Sequence, residues 1–130
     1  MKVLIVGGGN PLYFICRKFA ARGYEVVIVN RNQSECVHLA RRLSATVVCG
    51  DGSDADILQE AGVMGADAVL AITPNDQDNL VICQLAAFHF GVPRAVALAN
   101  DPDNVEVFQK LGVAGIFHHD GIINHIAHSR

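Results

Sequence analysis

Apolar residues fall in short, near-continuous runs along this chain, at residues 3–6, 25–29, 46–49, 68–73, 95–99 and, more briefly, 115–118. Each run has strand length and most are rich in β-branched residues. Because they do not alternate with polar positions, they predict strands buried on both faces, as in a parallel sheet. Between them the apolar positions recur at helical spacing over about 11–22, 33–43, 54–61, 76–90 and 102–111. Helix-end signals agree with this reading. Pro11 and Pro102 suit first-turn positions, with Asp101 as an N-cap. Asn32 with Glu35 three residues on has the form of a capping box. Gly23, Gly62, Gly91 and Gly112 each follow a helical run, where a left-handed residue is wanted. Six strands joined by five helices predict right-handed crossovers. The expected fold is α/β, a Rossmann-like doubly wound parallel sheet ordered 3-2-1-4-5-6 with helices on both faces.

Two stretches fit an isolated monomer poorly. The helix over 79–90 contains Leu80, Val81, Ile82, Leu85, Phe88 and Phe90 and is apolar around most of its circumference. One side can cover the sheet, and a second copy of the chain is the natural cover for the other. Residues 119–130 place Ile122, Ile123 and Ile126 on one helical face. They are expected to form a C-terminal helix or a crossover arm beyond a single domain at 1–118.

Composition narrows the class. Of 130 residues, 51% are hydrophobic and 18% charged, the balance of a well-buried α/β domain. A net charge of −3 and the lack of a Lys/Arg run argue against a nucleic-acid surface. No apolar stretch reaches the ~18 residues of a membrane span, and the start is a strand rather than a signal segment. The cysteines Cys16, Cys36, Cys49 and Cys83 include no CxxC pair, so they are expected to be reduced thiols packed as small hydrophobes.

The chemistry is expected at the carboxyl ends of the strands, where doubly wound sheets bind ligands. Gly7 permits a tight turn after the first strand, and Gly9 lets backbone approach a phosphate that the following helix N-terminus stabilises. Asn10 and Pro11 complete this turn, and Leu12 stands where the third glycine of a dinucleotide fingerprint permits close helix–sheet packing. The residue ending the second strand is ordinarily an acid that binds a ribose. Here it is Asn30, which can accept from a ribose hydroxyl without the charge, and then Arg31, which can meet a phosphate. Asp51, Gly52 and Ser53 follow the third strand, where Asp51 can accept from an adenine amino group. Thr73 and Pro74 follow the fourth and flank the phosphate turn. Asp54 and Asn75 read equally well as helix caps.

These features occur in a recognisable order. Gly7-x-Gly9 is followed by Gly50-Asp51-Gly52-Ser53-Asp54, by Ala66-Asp67-Ala68-Val69-Leu70-Ala71-Ile72-Thr73, and by Asp78-Asn79-Leu80. Gly91-Val92-Pro93-Arg94, Ala99-Asn100-Asp101-Pro102 and Val107-Phe108-Gln109-Lys110-Leu111-Gly112-Val113 complete the series. From Lys2 to about His118 the chain resembles the TrkA N-terminal (RCK or KTN) domain family, regulators of potassium channels and transporters. The resemblance implies a cytosolic, non-catalytic regulatory subunit or domain at the inner face of the membrane. It implies binding of NAD(H) or an adenine nucleotide (AMP, ADP or ATP), and a homodimer that assembles into rings beneath a membrane-embedded potassium transporter or channel. The usual family chain also carries a smaller C-terminal domain, so this sequence reads as an excised fragment or a minimal member. It departs from the family at Asn10, Leu12 and Asn30, where arginine, glycine and an acid are usual. Those changes move the expectation from a full dinucleotide toward a smaller adenine nucleotide. Expected nucleotide contacts are Gly7, Gly9, Asn10, Pro11, Asn30, Arg31, Asp51, Gly52, Ser53, Thr73 and Pro74.

The alternative is the nucleotide-binding half of an NAD(P)-dependent oxidoreductase without its substrate domain. Against it, neither Tyr13 nor Tyr24 begins a Tyr-x-x-x-Lys pair, and there is no Walker lysine or Gly-x-Ser-x-Gly turn. His125 and His128 share a helical face near His118 and His119, and are read as ordinary residues near a chain end rather than as metal ligands. Asp101 and Asp103 are likewise not assigned to a metal.

Overall fold

The structure is a computed structural model that describes residues 1–127, without the side chains of His119, Asp120, Asn124 and Ala127. The apolar runs form β1 (Lys2–Val6), β2 (Glu25–Asn30), β3 (Thr46–Cys49), β4 (Ala68–Ala71), β5 (Arg94–Leu98) and β6 (Ala114–Ile116). They make one parallel sheet in the order β3-β2-β1-β4-β5-β6, as the alternation of elements predicts. β1 lies at the centre, with Val3 aligned to Val26 of β2 and to Ala68 of β4.

Side chains alternate across the sheet and sort the core into two layers. Leu4, Val6, Val27, Val29, Val69 and Ala71 meet α3 (Ala55–Glu60), α4 (Asp76–Gln84) and α5 (Asn104–Lys110). Val3, Ile5, Val26, Ile28 and Leu70 meet α1 (Gly9–Ala21), α2 (Gln33–Arg42) and α6 (His119–Ala127). Ile122, Ile123 and Ile126 of α6 are buried in this second layer with Ile15 and Phe19 of α1.

Helix ends follow the local signals in most places. Gly23, Gly62, Gly91 and Gly112 all have positive φ, and Pro11 lies in the first turn of α1. Asp54 accepts from the Asp56 amide and Asn75 from the Asp78 amide, so both cap their helices.

Three expectations are corrected. The strand β3 is not buried on both faces, because it stands at the sheet edge with no neighbour beyond it; Thr46 and Cys49 are exposed. Cys49 is therefore not a packed thiol, unlike Cys16, Cys36 and Cys83. Asp101 and Pro102 do not open α5. Asp101 accepts from the Asp103 amide in a preceding turn, and the helix begins at Asn104. Asp76 holds the Asp101 amide and the Asn104 side chain, which fixes this turn ahead of the helix. The expected helix after β4 is present, but in two parts. After Gln84 it widens into a π-type turn over Leu85–His89, with the Phe90 amide reaching the Leu85 carbonyl. The histidine grouping near the end depends on His128 and on the His119 side chain, which lie outside the described residues.

Candidate functional site

The chain leaves β1 for β2 on one side and later returns to β4 on the other. Strand order reverses there, and the carboxyl ends of the strands open a cleft of about 730 Å³. This volume lies within the ordinary range for small-molecule sites. Four segments form most of its walls: the turn at residues 7–9, the end of β2, the loop at 50–52, and the loop at 72–75.

The turn depends on its glycines. Gly7 has φ +151°, and a Cβ there would stand 2.6 Å from Ile72 Cγ1. Gly8 is extended, yet a Cβ would lie 2.5 Å from Glu35 Oε1 and 2.6 Å from Asn30 Nδ2. The reason is a hydrogen-bonded cluster behind the turn. Asn30 is buried; its Nδ2 donates to the Gly7 carbonyl at 2.9 Å and to Glu35 Oε1 at 2.7 Å, while its Oδ1 accepts from the Asn32 amide at 2.8 Å. Glu35 Oε2 in turn accepts from the Gly9 amide at 2.9 Å. The capping box is thus only half formed. Asn32 accepts from the Glu35 amide at 2.9 Å, but Glu35 turns away from its own helix and caps α1 instead. The two ends of the Asn30 amide thus tie the glycine turn to the start of α2.

Across the cleft, Asp51 Oδ1 accepts from the Ser53 amide at 2.9 Å and the Ser53 hydroxyl at 2.7 Å. These bonds, the Ser53 amide first, hold the Asp51 carboxyl below its ordinary pKa against the opposing effect of burial, and Arg31 adds a smaller pull. Gly52 is buried, and a Cβ on it would collide with Val6.

The loop after β4 is fixed by a residue that the sequence places in the ordered series without assigning it a role. Asn79, fully buried on α4, donates from Nδ2 to the carbonyls of Thr73 and Leu98, both at 2.9 Å. Its Oδ1 accepts from the Thr73 amide at 2.9 Å and lies 2.7 Å from the Thr73 hydroxyl. All the hydrogen-bonding capacity of this side chain is used.

Of the expected contacts, Gly7, Gly9, Pro11, Asn30, Arg31, Asp51, Gly52, Thr73 and Pro74 line the cleft. Asn10 and Ser53 do not; Asn10 is exposed at the start of α1, and Ser53 supports Asp51. Gly8, Glu35 and Asn100 also line it and were missed. Gly8 carried a signal in the run of three glycines. Glu35 was visible only as a helix cap.

The TrkA-N domain model matches residues 3–119. This chain belongs to the TrkA-N domain family. Among its relatives, the TrkA-N chain is 34% identical over 113 residues to a Trk system potassium uptake protein TrkA homolog of Methanothermobacter thermautotrophicus. The match covers 87% of this chain and 52% of that protein, so the chain spans about half the length of its relative. Two solved structures match at 25% identity, each with a TM-score of 0.79. The GsuK channel bound to NAD is matched over 89% of this chain and 21% of its own. The Shewanella denitrificans Kef CTD in AMP bound form is matched over 95% and 76%. Among the described residues of this TrkA-N domain, no helix is long and apolar enough to cross a membrane.

Proposed function

We propose that this TrkA-N domain is a non-catalytic, nucleotide-sensing regulator of a potassium uptake system, at the cytoplasmic face of the membrane. The observation that carries the reading is the glycine-walled cleft at the point where strand order reverses, in a chain of this family. Relatives and neighbours named as a TrkA potassium uptake protein, an NAD-bound channel and an AMP-bound Kef domain support it.

The adenosine end of a nucleotide fits this cleft better than the phosphate end. Asp51 Oδ2 accepts no hydrogen bond from Ser53 and suits an adenine amino group, while Val6, Val29 and Ile72 offer apolar wall. At the turn, the Gly9 amide is already bonded to Glu35. An adenine mononucleotide is therefore the favoured ligand over a full dinucleotide.

Regulation follows from coupled equilibria. A ligand that binds one arrangement of a homodimer better than another shifts the population toward it, and a membrane-embedded potassium transporter or channel reads the shift. The dimer contact uses the exposed apolar side chains of α4 and α5, described below. Calorimetric titration with AMP, ADP, ATP, NADH and NADPH tests the reading. Binding of an adenine mononucleotide with Kd below about 1 mM, some −4 kcal/mol, is expected. Failure of all five to bind would overturn it.

A further inference from the structure

The N-terminus of α1 already holds an anion, and the chain itself supplies it. Helix α1 is 13 residues long, yet has no acidic residue in its first turn and no side-chain cap from Gly8. Such a terminus attracts negative charge, because its free amides and aligned peptide dipoles are unpartnered. Glu35 fills the vacancy from a different helix. One carboxylate oxygen takes the Gly9 amide at 2.9 Å, and the other takes Asn30 Nδ2 at 2.7 Å. The carboxylate lies so close over Gly8 that both its oxygens would be within 2.7 Å of an added Cβ.

Asn30 is the residue that makes this possible. An acid at that position would set one carboxylate against another across a hydrogen-bond distance. The amide instead donates to Glu35, and to the Gly7 carbonyl as well. Asn30 and Glu35 therefore work as a pair, and the amide at the end of β2 has a specific consequence for the turn beside it.

We propose that Glu35 is a specificity-determining residue of the nucleotide cleft, an internal substitute for the ligand's phosphate at the glycine turn. It discriminates against ligands by charge at that end. A nucleoside occupies the cleft with Glu35 in place, whereas a phosphate must first displace the carboxylate from the Gly9 amide. Because Glu35 stands in the first turn of α2, that exchange also changes what α2 is tied to. The proposal rests on the adenine-nucleotide reading above.

The test compares adenosine with AMP by calorimetry on the wild-type chain, Glu35→Gln and Glu35→Ala, with thermal melts to establish that each is folded. Glu35→Gln keeps the shape and removes the charge, so it remains informative if Glu35→Ala fails to fold. AMP is expected to bind Glu35→Gln at least about tenfold more tightly than wild type, because a like charge has gone from beside its phosphate. Adenosine is expected to bind all folded variants within about twofold, because it presents no phosphate charge to Glu35. A merely structural Glu35 would weaken both ligands together. Adenosine and AMP binding with unchanged or weakened AMP affinity in Glu35→Gln would overturn this proposal and leave the nucleotide reading standing. Absence of binding by either ligand to any of the three proteins would overturn both.

Discussion

Asp76 joins two loops through one carboxylate. Its Oδ1 accepts from the Asn100 amide at 2.7 Å and Asn100 Nδ2 at 2.8 Å; its Oδ2 accepts from the Asp101 amide at 3.1 Å and Asn104 Nδ2 at 2.8 Å. Burial by itself would raise the pKa of this carboxyl, but the donors from Asn104, Asn100 and Asp101 together outweigh it and lower it below the ordinary value. A folded pKa below the unfolded one stabilises the fold above the ordinary carboxylate range. That contribution is lost as pH falls through the depressed value. Asp76→Asn is thus expected to be less stable than wild type at neutral pH, with the gap closing in acid. Thermal melts across a pH series measure it, and a gap that stays constant down to acid pH would contradict the assignment. In the thiols burial acts in the same direction and prevails: Cys83 is pushed up to about 12 and Cys16 to about 11 by desolvation, which leaves both protonated and unreactive at neutral pH.

Individual elements were legible to different depths. Strand and helix positions followed from the runs of Val, Ile and Leu, and helix ends from glycines whose positive φ is a local property. Leu12 shows the limit of a motif. As a fingerprint position it looked like a defect, whereas in α1 it is a fully buried core residue in the layer with Ile5, Leu70 and Ile72. Asn79 shows the converse. It is a polar residue within an apolar helix, and only its four partners reveal that α4 anchors the ends of β4 and β5. Asn79→Ala removes the side-chain partner of the Thr73 amide and of the Leu98 carbonyl, while the Thr73 carbonyl keeps Asn100 Nδ2; it is expected to cost roughly 2–4 kcal/mol, since each such group costs about 1–3 kcal/mol. Urea unfolding reads the loss; a change near zero would mean that water replaces the side chain.

At the scale of the molecule, the sheet is covered on both faces, and apolar surface remains on the outside of the second half. Val81 on α4 and Val107 on α5 are more than two-fifths exposed, as is Leu111 just after α5, and Phe88 in the π-type turn is 66% exposed. Phe88 lies against Gly112, so close that an added Cβ would stand 2.8 Å from its ring, and thereby joins the ends of α4 and α5. A second copy of the chain is the cover that the sequence pattern leads one to expect for this helix. Exposed apolar side chains of this kind suit the proposed homodimer contact. Phe88→Glu is expected to shift the chain toward monomer, with the cleft and its ligand affinity retained. Sedimentation velocity at matched concentrations checks this, and an unchanged dimer fraction would move the interface elsewhere.

The sequence by itself determined the sheet order, the two-layer core and the place of the cleft. The strands, helices and turns follow from hydrophobic periodicity and from glycines at fixed offsets, each encoded within a few neighbouring residues, and their alternation with right-handed crossovers leads to the sheet order. Tertiary structure decided how the cleft is furnished. Glu35 lies 26 residues from the Gly9 amide it caps, Asn79 lies 19 from the Leu98 carbonyl, and Asp76 lies 28 from Asn104. A polar side chain has several possible partners, local and distant, and nothing in its immediate sequence ranks them. For Glu35 the local pattern named its own helix, and the folded chain gave it to α1, because that terminus had no acid of its own and Asn30 stood ready to donate.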